Sequence, residues 1–292
     1  MLTRQLSTHI VNLLSPGKLP TGKVTFGSVG GGSINKTYKV TIQDTSYFCK
    51  INSASKFPQL FEKECNGLNL LGNRGGIQVP KIFHCFQFED SQVLILGWIE
   101  EGQKDEQFWV RFGEQMAALH RNSNEYFGLN ESNYMGSLLQ LNKPSVDWAI
   151  FFNESMLQPM VARCYNIGAL SAKHLKQFER IFLELPEIFG DRQKPVLVHG
   201  DLWSGNFLCN KAGDPVLIDP AVSYAHPSVD LGMSTLFGGF NSKFYEAYHY
   251  CHPLPSNFKE QWEVCNLYPL LVHLFLFGNS YLIPILETLH KY

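Results

Sequence analysis

Two carboxylates and one amide lie beside short apolar stretches in the second half of the chain. Asp201 follows VLVHG, Asn206 comes five residues later, and Asp219 ends the stretch PVLI. FLCN and PVLID flank the turn KAGD and read as a hairpin, so we expect both acids at one end of the same small sheet. Carboxylate and amide oxygens are the ligands that Mg²⁺ prefers. The spacing therefore predicts that Asn206 and Asp219 hold Mg²⁺ and that Asp201 accepts a proton from a hydroxyl group.

A simpler interpretation exists for each of these residues alone. Asp201 could cap the following turn, and Asn206 could make local backbone hydrogen bonds. A single Asp would favour that interpretation. Metal binding and proton transfer are favoured because three features occur together. These are the tripeptide His-Gly-Asp, an Asn five residues after the Asp, and a second strand that ends in Asp.

Groups that could bind phosphate lie nearer the N-terminus. Gly30, Gly31 and Gly32 lie between two predicted strands, where open backbone N–H groups could face phosphate, although glycines in hairpins often serve only as turns. Lys50 lies on a predicted strand between apolar residues, and Glu64 falls at the centre of the apolar face of the next helix. The pattern predicts an ion pair between them. A structural salt bridge is the alternative, but burial of such a pair adds little stability.

These residues lie on elements of two different kinds. Residues 24–51 read as a β-meander, residues 57–72 as a helix, and VPKIFHCFQFEDSQVLILGWI as two more strands. The rest is mainly helical, apart from the hairpin. Residues 121–147 have the weakest periodicity, and we expect them to form a long surface connection. The prediction is an α+β, bilobal fold, with a small β-rich N-lobe over 1–97 and a larger helical C-lobe over 98–292.

Composition narrows the class of protein. The chain has 292 residues, 45% of them hydrophobic, and a net charge of −2, which does not favour a nucleic-acid or anionic-membrane partner. Seven scattered cysteines without a C-x-x-C pair suggest reduced thiols in the cytoplasm. The apolar stretch 267–286 is interrupted by polar residues and glycine, so it predicts two core helices rather than a membrane span. A monomer is favoured.

This sequence resembles protein-kinase-like enzymes in its functional residues. These are a lysine on a strand, a glutamate on the next helix, the motif HGD-x4-N and a second Asp after it. The similarity is closer to the fructosamine (ketosamine) 3-kinase family and runs along almost the whole chain. The segments that carry it are GGGSINKTYKV, FCKIN, FEKECNGLNLL, VPKIF, FGLNESNYMGSLLQLN, DWAIFF, HGDLWSGN, LIDPA and LFGGF. HGD-x4-N is shared with aminoglycoside and choline kinases, whereas Trp203, GSLLQLN and LFGGF indicate the ketosamine family.

The resemblance implies an activity and a set of roles. The family transfers the γ-phosphate of ATP to the sugar 3-hydroxyl of a ketosamine, after which the amine is released, a deglycation activity. By the resemblance, Asp201 is the proton acceptor, and Lys50, oriented by Glu64, contacts ATP phosphates. Trp203 would stack on the sugar or form one side of its binding site. Leu96, Gly97 and Trp98 would form the hinge that meets adenine, and Gly30, Gly31, Gly32 and Ser33 the glycine loop.

Some positions depart from the family, and alternatives stay open. Ser33 stands where some relatives have a redox-active cysteine, Gly97 stands where a hinge acid is common, and Pro227, Ser228 and Val229 leave the substrate preference open. Asp230 is expected to tie down the catalytic loop. One alternative is a kinase of the aminoglycoside or choline type, and a second is a nucleotide-binding pseudokinase scaffold. A third is a non-enzymatic regulator.

Overall fold

The computed structural model describes residues 2–16, 24–30, 34–190 and 193–292. Its first layer is a five-stranded antiparallel sheet with the strand order β1-β2-β3-β5-β4. The strands are β1 (Val24–Ser28), β2 (Lys36–Ile42), β3 (Thr45–Ser53), β4 (Ile82–Phe88) and β5 (Ser91–Gly97). Tight turns join β2 to β3 and β4 to β5, and Gln43 and Glu89 adopt positive φ angles there. The sheet confirms the predicted small β-rich N-lobe.

Helices cover both faces of this sheet. The helix α1 (Arg4–Leu14) packs on one face through Leu6 and Ile10. The other face receives α2 (Leu60–Leu70), which buries Phe61 and Leu68. The sequence predicts this helix from residue 57, three residues too early. The Gln92 side chain accepts from Phe61 N at 3.2 Å and donates to the Phe57 carbonyl at 2.7 Å, so it holds residues before α2 in a turn.

The remainder of the described chain is mainly helical, which confirms the α+β bilobal fold. After a π-helical turn (Leu71–Gly75), its helices are α3 (Glu106–Leu119), α4 (Trp148–Phe151), α5 (Gln158–Asn166), α6 (Ala172–Phe189), α7 (Ser228–Leu236), α8 (Ser242–Cys251), α9 (Phe258–Cys265), α10 (Leu267–Phe277) and α11 (Leu282–Leu289). A second π-helical turn (Phe152–Leu157) joins α4 to α5, and a 3₁₀ turn (Asn279–Tyr281) precedes α11. The apolar stretch 267–286 does form two helices, separated at Gly278. Among the described residues, no helix has both the length and the apolar character needed to cross a membrane.

Three small antiparallel ladders complete the described structure. They are formed by β6 (Asn133–Met135) with β7 (Leu138–Gln140), β8 (Val196–Val198) with β11 (Ser223–Ala225), and β9 (Phe207–Cys209) with β10 (Pro215–Leu217). The predicted hairpin is confirmed as β9 and β10. The expectation that 121–147 is only a surface connection is wrong. This segment contains β6 and β7 and buries Asn133, Gln140 and Asn142.

Candidate active site

The loop after β8 is tied down by a buried carboxylate. Asp230, at 0% exposure in the first turn of α7, accepts from the backbone N–H of His199 at 2.7 Å and from that of Gly200 at 2.8 Å. It also lies 3.2 Å from His120 Nε2, and His120 Nδ1 lies 2.7 Å from the Tyr248 hydroxyl. The backbone just before Asp201 is therefore held by a charge-assisted network inside the core.

His199 shapes the loop from a fully buried position. Its Nδ1 accepts from the Asp201 N–H at 3.2 Å, so Nε2 carries the ring proton and donates to the Ile218 carbonyl at 2.9 Å. Burial lowers the pKa of this imidazole, which favours the neutral ring. The bond to Ile218 links the loop to the residue just before Asp219.

The two acids come together by a different route from the one the sequence suggests. β8 pairs with β11, whereas the hairpin that precedes Asp219 forms a ladder of its own, so the acids do not lie on one sheet. Asp219 follows β10 with φ at 54°, a left-handed conformation that Asp tolerates better than most residues. Two hydrogen bonds of His199 connect the β8–β11 ladder to the end of the β9–β10 hairpin. One is the bond from its Nε2 to the Ile218 carbonyl, and the other is the bond from Ala221 N to the His199 carbonyl at 2.9 Å.

Asn206 folds back onto Asp201. Its Nδ2 donates to both the backbone carbonyl and the carboxylate Oδ2 of Asp201, each at 2.9 Å. Burial raises the pKa of Asp201 to about 7, and the hydrogen bond from Asn206 acts in the opposite direction. The carboxylate is therefore much more basic than an ordinary Asp, as a general base near neutral pH requires.

Lys50 forms the ion pair that the sequence predicts and has a second acidic partner. Its Nζ lies 2.7 Å from Glu64 Oε1 and 2.5 Å from Asp219 Oδ1, and the side chain is 2% exposed. Burial opposes the charge of the ammonium group, but the Asp219 and Glu64 carboxylates raise its pKa above the ordinary value. Lys50 therefore links the sheet, α2 and the strand end at Asp219 through charge-assisted bonds.

The indole of Trp203 is held by its own loop. A Cβ atom built on Gly205 would overlap the six-membered ring of Trp203, so the motif needs glycine at this position. Phe237 contacts the indole edge-on, with ring centroids 5.9 Å apart. The spacing of Trp203, Gly205 and Asn206 thus places an aromatic wall beside Asp201.

Two adjoining cavities share Asn35, Lys50, Asn206 and Asp219. The cavity that we name the sheet cavity, of about 230 Å³, is also lined by Val29, Gly30, Thr37, Phe48, Pro80, Leu96, Gly97, Trp98, Ile99, Glu101, Gly205, Leu208 and Ile218. The one that we name the loop cavity, of about 150 Å³, is also lined by Ile34, Leu60, Lys63, Glu64, Asn133, Tyr134, Gly136, Asp201, Trp203 and Pro220. The mainly apolar sheet cavity thus opens onto a polar one at the shared residues.

The predicted hinge residues line the sheet cavity. The N–H of Gly97 donates to the Lys81 carbonyl at 2.7 Å. The N–H of Gly97 is therefore already engaged, and Ile99, which the sequence analysis missed, also lines this cavity. Lys39 covers the Trp98 ring at 4.1 Å from its centroid. Gly30 also lines the cavity, whereas Gly31, Gly32 and Ser33 lie outside the described residues.

The orientation of Asn206 and Asp219 suits a hard cation. Because Asn206 Nδ2 faces Asp201, its Oδ1 is the amide atom left to act as a ligand, and Lys50 contacts Oδ1 of Asp219 but leaves Oδ2. One amide oxygen and one carboxylate leave room for water and phosphate oxygens, which is how Mg²⁺ is usually bound beside nucleotides. These residues could therefore hold Mg²⁺ where the cavities meet.

Lys63 and a buried amide cluster also escaped the sequence analysis. Lys63 lines the loop cavity, is 11% exposed, and has its Nζ 3.4 Å from Glu131 Oε2. The Glu131 carbonyl accepts from Asn142, which belongs to a cluster of hydrogen-bonded side chains made of Asn133, Gln140, Asn142 and Tyr268. The available signal was the run of amide side chains in 130–142, which hydrophobic periodicity does not register.

Known proteins resemble this chain along most of its length. A protein named "Probable ketoamine kinase" from Enterococcus faecium is 35% identical over 276 residues, covering 93% of this chain and 95% of that protein. The chloroplastic protein-ribulosamine 3-kinase of Arabidopsis thaliana is 32% identical over 271 residues, covering 90% of this chain and 82% of that protein. Both names describe ATP-dependent phosphotransferases.

Solved structures agree with these sequence relatives. The crystal structure of a candidate fructosamine-3-kinase from Thermobifida fusca has a TM-score of 0.83 and 31% identity, covering 93% of this chain and 94% of that one. The aminoglycoside phosphotransferase APH(4)-Ia in complex with AMP-PNP and hygromycin B, at a TM-score of 0.62 and 14% identity, shares the fold, with 93% of each chain covered. The family model for fructosamine kinase matches residues 9–292. The chain therefore belongs to the fructosamine kinase family, whose members are ATP-dependent phosphotransferases.

Proposed function

We propose that this protein transfers the γ-phosphoryl group of ATP to the 3-hydroxyl of a ketosamine, a sugar joined to an amine through carbon 1. One observation carries the proposal: Lys50, Asn206 and Asp219 lie where the two cavities meet, and Asp201 lines the loop cavity. ATP would place its base in the sheet cavity and its phosphates at the shared residues, and the ketosamine would occupy the loop cavity beside Trp203.

Asp201 is the proton acceptor in this proposal. Oδ2 of its carboxylate accepts from Asn206, so Oδ1 would be the oxygen that accepts from the substrate hydroxyl. The hydroxyl oxygen forms the new bond to γ-phosphorus as the bond to the ADP oxygen breaks, and the hydroxyl proton moves to Asp201. Positioning and neutralisation of charge provide most of the acceleration in such a direct transfer.

Lys50 and the bound metal would balance the phosphate charge. Lys50, kept protonated by its acidic partners, would contact phosphate oxygens, and Glu64 would keep it in place once Asp219 turns to the metal. Asn206 Oδ1 and the Asp219 carboxylate would hold Mg²⁺, which supplies charge stabilisation to the phosphate oxygens. Backbone groups of Trp98 and Ile99 would meet the adenine.

The product would make the activity a repair reaction. A phosphate on carbon 3 is a better leaving group than the hydroxyl, so the enamine form of the adduct would expel inorganic phosphate from carbon 3, and water would then hydrolyse the resulting imine at carbon 1 and release the amine. We further propose that the protein acts as a monomer in the cytoplasm, with a lobe boundary at residue 97.

The test is Mg²⁺-dependent release of ADP with a panel of acceptors. The panel contains fructose-lysine, ribulose-lysine, choline and an aminoglycoside, with Asp201→Asn as the matched control. We expect turnover on the ketosamines and its loss in the control. Turnover on choline or the aminoglycoside alone would contradict a ketosamine substrate and favour a kinase of the choline or aminoglycoside type. ATP binding without turnover on any acceptor would favour a nucleotide-binding scaffold.

A further inference from the structure

Two cysteines face each other between the edge strand β4 and the helix α2. Cys85 of β4 is the cross-strand partner of Leu94, which belongs to the apolar core under α2. Cross-strand partners point to the same face of a sheet, so the Cys85 side chain points toward α2. Cys65 lies on α2, and both cysteines line one cavity of about 400 Å³. This cavity shares no lining residue with the sheet cavity or the loop cavity.

Cys85 is the cysteine that solvent reaches most readily. All seven cysteines of the chain lie among the described residues, and five of them are buried, including Cys65 at 8% exposure. Cys251 is half-buried, whereas Cys85 is exposed on the edge strand of the sheet. An oxidant in solution therefore meets Cys85 first and finds a second thiol directly beside it.

The two thiols differ in acidity because one donates a hydrogen bond to the other. The bond from Cys65 lowers the pKa of Cys85, while desolvation and the carboxylates of Glu62 and Glu64 act in the opposite direction. The same bond, together with burial, raises the pKa of Cys65. Cys85 is therefore the thiol that ionises, and the thiolate is the reactive form. An accessible thiolate beside a second thiol is the usual arrangement of cysteines that react with peroxide.

The position of Cys65 connects this pair to the candidate active site. Cys65 directly follows Glu64, whose Oε1 lies 2.7 Å from Nζ of Lys50 on β3. In the sheet, β5 separates β3 from β4, so a movement of α2 toward β4 takes it away from β3. A disulfide bond holds its sulfur atoms much closer together than a hydrogen bond does. Closing a bond between Cys65 and Cys85 would therefore draw Glu64 away from Lys50.

We infer that Cys65 and Cys85 are a dithiol that hydrogen peroxide converts into an intramolecular disulfide, and that this disulfide weakens ATP binding. The Cys85 thiolate attacks one oxygen of the peroxide, the O–O bond breaks, and the other oxygen leaves as water, so Cys85 becomes a sulfenic acid. The Cys65 sulfur then attacks the Cys85 sulfur, and the S–O bond breaks with release of a second water. Both sulfur atoms are oxidised and the peroxide is reduced to two waters. The effect on ATP rests on the proposed place of Lys50 beside the phosphates.

The test treats the full chain with hydrogen peroxide and then blocks the remaining thiols by alkylation. Peptide mapping without reduction should find Cys65 joined to Cys85 within one molecule. Titration calorimetry should show the Kd for Mg²⁺-ATP raised at least ~5-fold, since small displacements of positioning groups have large effects. Dithiothreitol should restore it. Cys85→Ser should lose both responses to peroxide, whereas the control Cys251→Ser, which changes a half-buried cysteine on α8, should keep both.

Other results would overturn the inference in identifiable ways. Recovery of Cys65 and Cys85 as separate alkylated thiols, or a Cys85 bond between two molecules, would exclude the intramolecular disulfide. A disulfide that leaves the Kd for Mg²⁺-ATP unchanged would exclude the effect on α2. Failure of the reduced protein to bind ATP would contradict the proposed function, and the peptide map would still decide on the disulfide. In Cys65→Ala, peroxide should leave Cys85 as a sulfenic acid that dimedone traps, and absence of that adduct would exclude Cys85 as the attacking thiol.

Discussion

Asn206 Nδ2 lies 2.9 Å from both the backbone carbonyl and the carboxylate of Asp201, so one side-chain amide binds two acceptors of the residue five positions earlier. This arrangement orients the carboxylate and at the same time turns Asn206 Oδ1 outward. The loop therefore couples the proposed proton acceptor to a proposed metal ligand, and a change at either residue should affect both functions.

Replacing Asp201 with Asn tests the proposed proton transfer. The amide keeps an oxygen that can accept from Asn206, so the loop geometry is retained, but it cannot take up the substrate proton. We expect kcat to fall at least ~100-fold, the low end for loss of a general base. Steady-state kinetics with the best ketosamine measure the effect. A near-normal kcat would remove Asp201 from the proposed role.

Replacement of Asn206 or Asp219 by Ala tests the proposed metal site. Each substitution removes one of the two protein ligands, so the Mg²⁺ concentration required for half-maximal activity should rise at least ~10-fold. Asp214→Ala is the control, because Asp214 lies in the turn between β9 and β10 and contacts Arg111 at 3.5 Å. An identical Mg²⁺ titration for Asn206→Ala and the control would contradict ligation by Asn206.

The raised pKa of Asp201 predicts a pH-dependent difference in stability. Folding raises this pKa from an ordinary 3.8 to about 7, so the folded protein holds a proton that the unfolded chain releases. The stabilising contribution is therefore present below the ordinary value and is lost as the pH rises through about 7. Because Asn does not titrate, only the unmodified protein should lose this stability as the pH rises. Without nucleotide, the melting temperature of Asp201→Asn minus that of the unmodified protein should therefore be larger at pH 8 than at pH 5.5. Differential scanning fluorimetry measures it, with Asp214→Asn as the control, and a difference independent of pH would contradict the assigned pKa.

The sequence predicts well those contacts that depend on local periodicity. Lys50 and Glu64 lie on adjacent elements, and their faces follow from the strand and helix periods, so their 2.7 Å contact could be anticipated. The β9–β10 hairpin could be anticipated for the same reason, because its strands are joined by a short turn.

Pairings between distant segments could not be predicted in this way. β8 pairs with Ser223–Ala225, a short segment beyond the hairpin whose composition does not distinguish a strand from a loop. The segment 121–147 was missed because hydrogen bonds between amides hold it together, such as Asn142 to Asn133 at 2.8 Å, and these leave no apolar period. Ile99, one residue beyond the predicted hinge, also lines the sheet cavity, and the sequence does not reveal that the Gly97 N–H is already bonded to the Lys81 carbonyl.

Asp230 should contribute to the stability of the fold. An amide at this position could still accept from Gly200, but it would turn an N–H toward the His199 N–H in a fully buried site. We expect Asp230→Asn to lower the free energy of unfolding by about 1–3 kcal/mol, the range for leaving a buried donor unpaired. Urea denaturation measures the change. The control Asp147→Asn changes an exposed carboxylate that accepts from the Ile150 N–H at 2.9 Å and should cost less than about 1 kcal/mol, so equal losses in the two variants would contradict a special role for Asp230.

Gly205→Ala tests whether the Trp203 wall recognises the sugar. The new Cβ would overlap the indole, so the ring must leave the position in which it borders the loop cavity. We expect the KM for the ketosamine to rise roughly 10-fold, as for loss of one well-packed aromatic contact. Because Gly205 itself lines the sheet cavity, the KM for ATP is compared in Trp203→Ala, which removes the indole without changing a residue of that cavity and should leave the KM for ATP unchanged. The matched control is Gly27→Ala in β1, where an added Cβ would have no neighbour within 4 Å. An equal rise in both KM values would mean that the substitution distorts the whole loop, and no rise in either would show that Trp203 does not contact the sugar.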